Sequence, residues 1–132
     1  MLVVAKAIIF LVVIFFLTLG AIALVRPVFA RAFLLGFAKT ALKHYVELLA
    51  RVLIGGSLLL VASGSAYASA LSAFGWLLIG TTAVMTLVPW HVHDRFARSA
   101  VPKALRFLPS IGISSLLMGA LLLWAMLAGR AA

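Results

Sequence analysis

Four long apolar runs, separated by polar or basic stretches, set the layout of this chain. The first, Ala7 to Val25, is about 19 residues long, close to the roughly 20 that a helix needs to cross a bilayer core, and Arg26-Pro27 stops it. A second spanning helix is expected over about 41–62, ended by Ser63-Gly64-Ser65, a connection without charge. The third runs over about 70–88 and is closed by Pro89-Trp90. The fourth, about 109–127, opens on Pro109, which suits the first turn of a helix because its missing N–H costs nothing there, and stops before Gly129-Arg130. The expected fold class is therefore all-α: an integral membrane bundle of four transmembrane helices in a single domain, 1–132. A signal peptide is the competing reading of the first run, since Lys6 precedes it and small residues follow it. Its length favours a retained span, because a signal core is only about 7 to 15 residues.

The stretches between the spans are patterned as well. From Pro27 to Leu42 the apolar Phe29, Phe33, Leu34 and Phe37 alternate with Arg31 and Lys39. This is a short basic amphipathic segment, expected in the headgroup layer with acidic lipid headgroups as its neighbours. A second such segment is His91-Val92-His93-Asp94-Arg95-Phe96-Ala97-Arg98, followed by Pro102-Lys103 and Arg106.

Charge sets the orientation. Arg26, Arg31, Lys39 and Lys43 lie between spans one and two, and Arg95, Arg98, Lys103 and Arg106 between three and four; the ends keep only Lys6 and Arg130. The excess of basic residues marks cytoplasmic loops, so both termini of this multi-pass chain are expected outside the cytoplasm. Tyr45 and Trp90 then fall at the inner interface, and Tyr67, Trp76 and Trp124 near the outer one.

Composition agrees with lipid as the main solvent: 67% of the residues are hydrophobic and 10% charged, against about half and a quarter in soluble domains. The net charge of +9 sits in clusters beside apolar runs, and no RNA- or DNA-binding pattern accompanies it. Nucleic acid is therefore not an expected partner. With no cysteine, disulfides, thiolate catalysis and cysteine-based metal sites are excluded.

Candidate chemistry gathers at the expected inner end. In Lys43-His44-Tyr45-Val46-Glu47-Leu48-Leu49-Ala50-Arg51, the residues His44, Glu47 and Arg51 follow one another at i, i+3 and i+7, on one helical face. Arg51 lies about 12 Å beyond Lys43 along a helix, at a depth where ionisable groups are rare and are functional candidates by default. The simpler reading is an intrahelical ion pair of Glu47 with Arg51, acid first and four apart, that faces another helix. His44, His91 and His93, with Glu47 and Asp94, carry imidazole and carboxylate suited to zinc, iron or nickel. His-x-His spacing, however, suits a strand or turn better than a helix, and interfacial histidines are usually just solvated. Haem ligation calls for histidines deeper in a bundle, and no cofactor is expected. Small residues supply packing faces: Gly55, Gly56 and Ser57 in span two, Gly75 and Gly80 in span three, and Gly112, Ser115 and Gly119 in span four.

The two halves share a layout of span, basic segment, span. Laying Ala41 on Ala104 also puts Gly56-Ser57-Leu58-Leu59-Leu60 on Gly119-Ala120-Leu121-Leu122-Leu123 without gaps, and Leu24-Val25 on Leu87-Val88. A duplication of this kind gives two parallel two-helix repeats about an axis along the membrane normal. The second half, with Thr86-Leu87-Val88-Pro89, a basic aromatic stretch, Pro102, Ala104-Leu105-Arg106 and then Gly112 and Gly119, resembles the YjeT-type family of small two-helix inner-membrane proteins. The likeness covers about 40 residues and implies a fold and an inner-membrane location, but no chemistry. His91, His93, Glu47 and Arg51 have no counterpart in it. With no nucleophile, base and acid set in the sequence, the expected function is a non-enzymatic accessory or scaffold subunit, docking another membrane protein or itself. The alternative is a small transporter or ion-conducting subunit that uses Glu47 and Arg51.

Overall fold

The computed structural model describes residues 1–35 and 41–128, without the side chains of 34, 35, 41, 42, 90, 93, 97 and 101. Phe37, Lys39 and Arg130 thus lie outside the described residues. Every described element is helical: α1 (Leu2–Val25), α2 (Pro27–Leu35), α3 (Ala41–Ala62), α4 (Ala68–Leu87), α5 (Trp90–Ala104) and, after a turn of 3₁₀ helix at Leu105–Phe107, α6 (Leu108–Leu127). Among the described residues four helical stretches are long and apolar enough to cross a membrane: α1, α3 from Lys43 on, α4, and the run from Asp94 to Leu127 that ends in α6.

The chain punctuates these helices by local chemistry. Pro27 disfavours helical backbone at the residue before it, and Arg26 accordingly leaves the helix at φ −133°, ψ 71°. Pro27 then opens α2, as a proline can at a first turn. Pro109 sits in the first turn of α6, which begins one residue earlier, at Leu108. α1 starts five residues before the apolar run read as a span, taking in Lys6, because nothing in Leu2–Ala5 interrupts a helix. His91 and His93 lie in helical backbone, not in the strand or turn that their spacing suits. The helix continues through Pro102, whose ring removes one backbone N–H, and gives way to 3₁₀ geometry three residues later.

Packing runs in a row. α1 packs against α6 on one side and α3 on the other, and α4 packs against α3. Although both halves read span, short helix, span, the packing differs between them: α1 lies against α3, while α4 and α6 make far less contact. At the end that holds the α3–α4 loop, the four helices converge on one core of Ala5, Ile9, Leu58, Val61, Ala62, Leu71 and Ala125. At the opposite end Ala23, Ala30, Leu105 and Leu108 join α1 and α2 to the start of α6. Only 22% of the α1 span and 33% of the α3 span is buried within the protein, so most of each surface is left to lipid.

The α3–α4 loop is latched to the end of α6. The Ser65 hydroxyl donates to the Ala125 carbonyl at 2.8 Å and accepts from the Tyr67 N–H at 3.1 Å. The Ala66 N–H donates to the Ala128 carbonyl at 3.0 Å, and the Trp124 indole N–H to the Tyr67 hydroxyl at 2.7 Å. Ser65 is buried, so its loss strands both partners. Ser65→Ala is expected to cost about 1–2 kcal/mol, measured as a lower midpoint in thermal unfolding of the detergent-solubilised protein; Ser63→Ala, on the exposed side of the same loop, is expected to leave that midpoint in place.

Candidate functional site

Along α3 the residues Glu47, Arg51, Gly55 and Leu59 recur every fourth position, forming a single ridge. Its upper part is a close backbone contact. A Cβ built on Gly55 would stand 2.8 Å from Ile79 Cγ1 and 3.1 Å from the Gly75 carbonyl oxygen; one on Gly75 would stand 2.9 Å from the Gly55 carbonyl oxygen. Glycine at both positions lets α3 and α4 touch through their main chains.

One turn further along, the same ridge turns polar. The Arg51 guanidinium reaches across to α4, where Nε donates to Thr82 Oγ1 at 3.0 Å and Nη2 donates to Thr81 Oγ1 at 2.6 Å. Both hydroxyls in turn donate to their own helix: Thr82 to the Leu78 carbonyl at 2.6 Å, Thr81 to the Leu77 carbonyl at 2.9 Å. Each hydroxyl thus acts as donor and acceptor together. Glu47 completes the cluster from one turn away, its Oε1 4.0 Å from Arg51 Nη1. That distance is an ion pair without a short hydrogen bond.

Depth is what makes this cluster unusual. Arg51 lies near the middle of α3, about 15 Å from either end at 1.5 Å per residue. The side chains of Arg51 and Glu47 are 26% and 25% exposed, Thr81 is exposed, and Thr82 is buried. The polar ladder therefore begins inside the α3–α4 seam and emerges on its outer surface, where Glu47 and Thr81 each lie about 9 Å from the near end of their helices.

The histidines differ in their surroundings. His44 is buried on α3, edge-on to the Tyr45 ring, while His91 is exposed on α5. Asp94 engages Arg98, four residues on, at 3.0 Å. Among the described residues no three of His, Asp and Glu lie together in a way that could hold a metal ion, and no buried side-chain nitrogen or oxygen lacks a hydrogen-bond partner. The His93 side chain lies outside the described residues.

No family model, curated protein or solved structure matches this chain. The site is accordingly read from its own chemistry. Glu47 and Arg51 stand out in the sequence as ions in an apolar run; Thr81 and Thr82 do not. Threonines in membrane helices satisfy themselves by bonding back to their own helix, so they carry no mark until a donor from another helix is seen to reach them. The usable signal was the adjacent pair itself, two hydroxyls side by side in a span whose neighbour carries an unexplained arginine.

Proposed function

We propose that this chain is a non-enzymatic accessory or scaffold subunit of an inner membrane of bacterial type, and that it docks a second membrane protein, or another copy of itself, on the outer face of the α3–α4 pair. The observation that carries the reading is the emergence of the Glu47, Arg51 and Thr81 cluster on that face, within the membrane-crossing lengths of α3 and α4. Hydrocarbon offers these groups no hydrogen bonds, whereas a neighbouring helix with a polar side chain does. The exposed Leu77 and Val84 flank Thr81 on that face and supply apolar contact around it.

The membrane orientation belongs to the same reading. Arg26, Arg31, Lys43, Arg95, Arg98, Lys103 and Arg106 all fall on the α2 and α5 end of the bundle, with Lys6 at the other, which supports a cytoplasmic α2–α5 end and non-cytoplasmic termini. The resemblance of the second half to the YjeT-type family fits this location, and the matching layout of the two halves fits a duplication.

Native mass spectrometry of the protein extracted gently from its own membranes tests the proposal. A reproducible heavier assembly is expected, and Val84→Trp, which adds bulk to the docking face without touching Arg51, is expected to dissociate it while leaving the protomer folded. A lone protomer from wild-type membranes would overturn the proposal. The threonine hydroxyls beside a mid-membrane arginine also suit a transport path, and that second reading requires Glu47→Gln to change ion flux in proteoliposomes at unchanged folded yield. If Glu47→Gln lowers only the folded yield, the ion pair is structural.

A further inference from the structure

We propose that the groove between α1 and α2 is a binding site for one anionic phospholipid, whose acyl chain lies along α1 and whose phosphate meets Arg26. The groove arises from the break at Arg26-Pro27. After it, α2 leans back along α1, and the two touch closely where the small Ala30 is buried. To one side of that contact the larger side chains stand apart. Leu11, Ile14, Phe15 and Thr18 of α1 and Phe29 and Phe33 of α2 line a space of about 450 Å³, and its two walls meet where the Phe15 and Phe33 rings touch, 6.1 Å between centroids.

Dimensions and charge together specify the occupant. The lining on α1 runs from Leu11 to Ile22, about 16 Å at 1.5 Å per residue. One leaflet of a bilayer core is about 15 Å deep, half of the ~30 Å total. The walls are apolar apart from the Thr18 hydroxyl, which suits a hydrocarbon chain. At the headgroup end the Arg26 guanidinium stands over the Phe29 ring, 5.8 Å from its centroid, and Phe29 is itself a wall of the groove. The aromatic ring holds the cation at the mouth, and a guanidinium presents a planar fork of donors matched to phosphate. An apolar slot one leaflet deep with a cation at its mouth has the form of a phospholipid. A protein helix, about 10 Å across, is too thick to enter it. Nine positive charges in excess of the acids give the chain a standing need for lipid anions, and this groove holds one of them in a defined place. The site lies on α1, so it does not depend on docking at the α3–α4 face.

The test is native mass spectrometry of the purified protein titrated with phosphatidylglycerol or with phosphatidylcholine. One phosphatidylglycerol is expected to be retained in preference. Arg26→Gln is expected to weaken that binding about fivefold, the effect of one basic residue at a lipid surface, and to weaken phosphatidylcholine less, because its choline cation already offsets the phosphate charge. Thr18→Trp, which fills the groove, is expected to remove both lipids, with Leu11→Trp at the deep end as the second variant should the first fold poorly. Lys103→Gln, an exposed basic residue on α5, is the control and is expected to bind as the wild type does. Equal weakening by Lys103→Gln and Arg26→Gln would show a diffuse charge effect and overturn the proposal. So would retention of lipid by a folded groove-filled variant, or no retained lipid in the wild type.

Discussion

Arg51→Met is expected to destabilise the protein by about 2–3 kcal/mol, and adding Glu47→Gln to it is expected to restore most of the loss. The single change takes from the Glu47 carboxylate the cation that stands 4.0 Å away inside the membrane-crossing helix, and removing one member of a desolvated pair costs more than the pair contributes as a whole. The double change removes both charges. Thr81 and Thr82 lose a donor but keep their own bonds to the Leu77 and Leu78 carbonyls, so no hydroxyl proton is left without an acceptor. Unfolding of the four proteins in mixed micelles closes the thermodynamic cycle, and a coupling of about 1–3 kcal/mol is expected for groups in contact. Additive losses would mean that Arg51 stabilises the seam through its threonine bonds alone and that the 4.0 Å approach to Glu47 carries little. The same cycle bears on function: a pair retained for docking loses assembly in the double variant even where stability returns.

The spans were legible because each apolar run is bounded by residues with a fixed local meaning. Arg26-Pro27, Ser63-Gly64-Ser65 and Pro89 all fall where helices end or begin. Helix starts drifted where no such residue stands, as at Leu2, since a run of apolar residues gives helix no reason to begin at one position more than another. Neighbour relations were not legible. α1, α4 and α6 are apolar nearly all round, and a helix with no polar stripe does not disclose which side meets protein and which meets lipid. That is why the sequence exposes Glu47 and Arg51 but hides Thr81 and Thr82, and why α2 reads as a helix flat in the headgroup layer although Phe33 folds back to Phe15, eleven positions before Arg26 on α1.

Glycine shows the same limit. Span two offers Gly55 and Gly56, span three Gly75 and Gly80, and by sequence the members of each pair are equivalent. The structure separates them. A Cβ on Gly56 or Gly80 meets nothing within 4 Å, while Gly55 and Gly75 face each other's backbone. Gly20, which no small-residue pattern in the first span singles out, plays this part for α1 and α6: its Cβ would stand 2.8 Å from the Gly112 carbonyl oxygen and 2.7 Å from Leu116 Cγ.

Gly75→Ala and Gly20→Ala are therefore each expected to cost about 1–3 kcal/mol, because the added methyl meets a carbonyl oxygen of the facing helix and the whole helix must move to admit it. Gly75→Leu and Gly20→Leu are expected to abolish folded protein. Gly56→Ala and Gly80→Ala, by contrast, are expected to be neutral or to stabilise by up to about 1 kcal/mol, the helix propensity that alanine gains over glycine where nothing opposes it. Helical content and unfolding midpoint of the four alanine variants in the same detergent decide the matter. A loss at Gly56 or Gly80 as large as that at Gly75 would mean that a second surface packs against the outside of the α3–α4 pair. In that event the unfolding data and the native assembly would report the same interface, and the docking face would extend around α4 from Thr81 to Gly80.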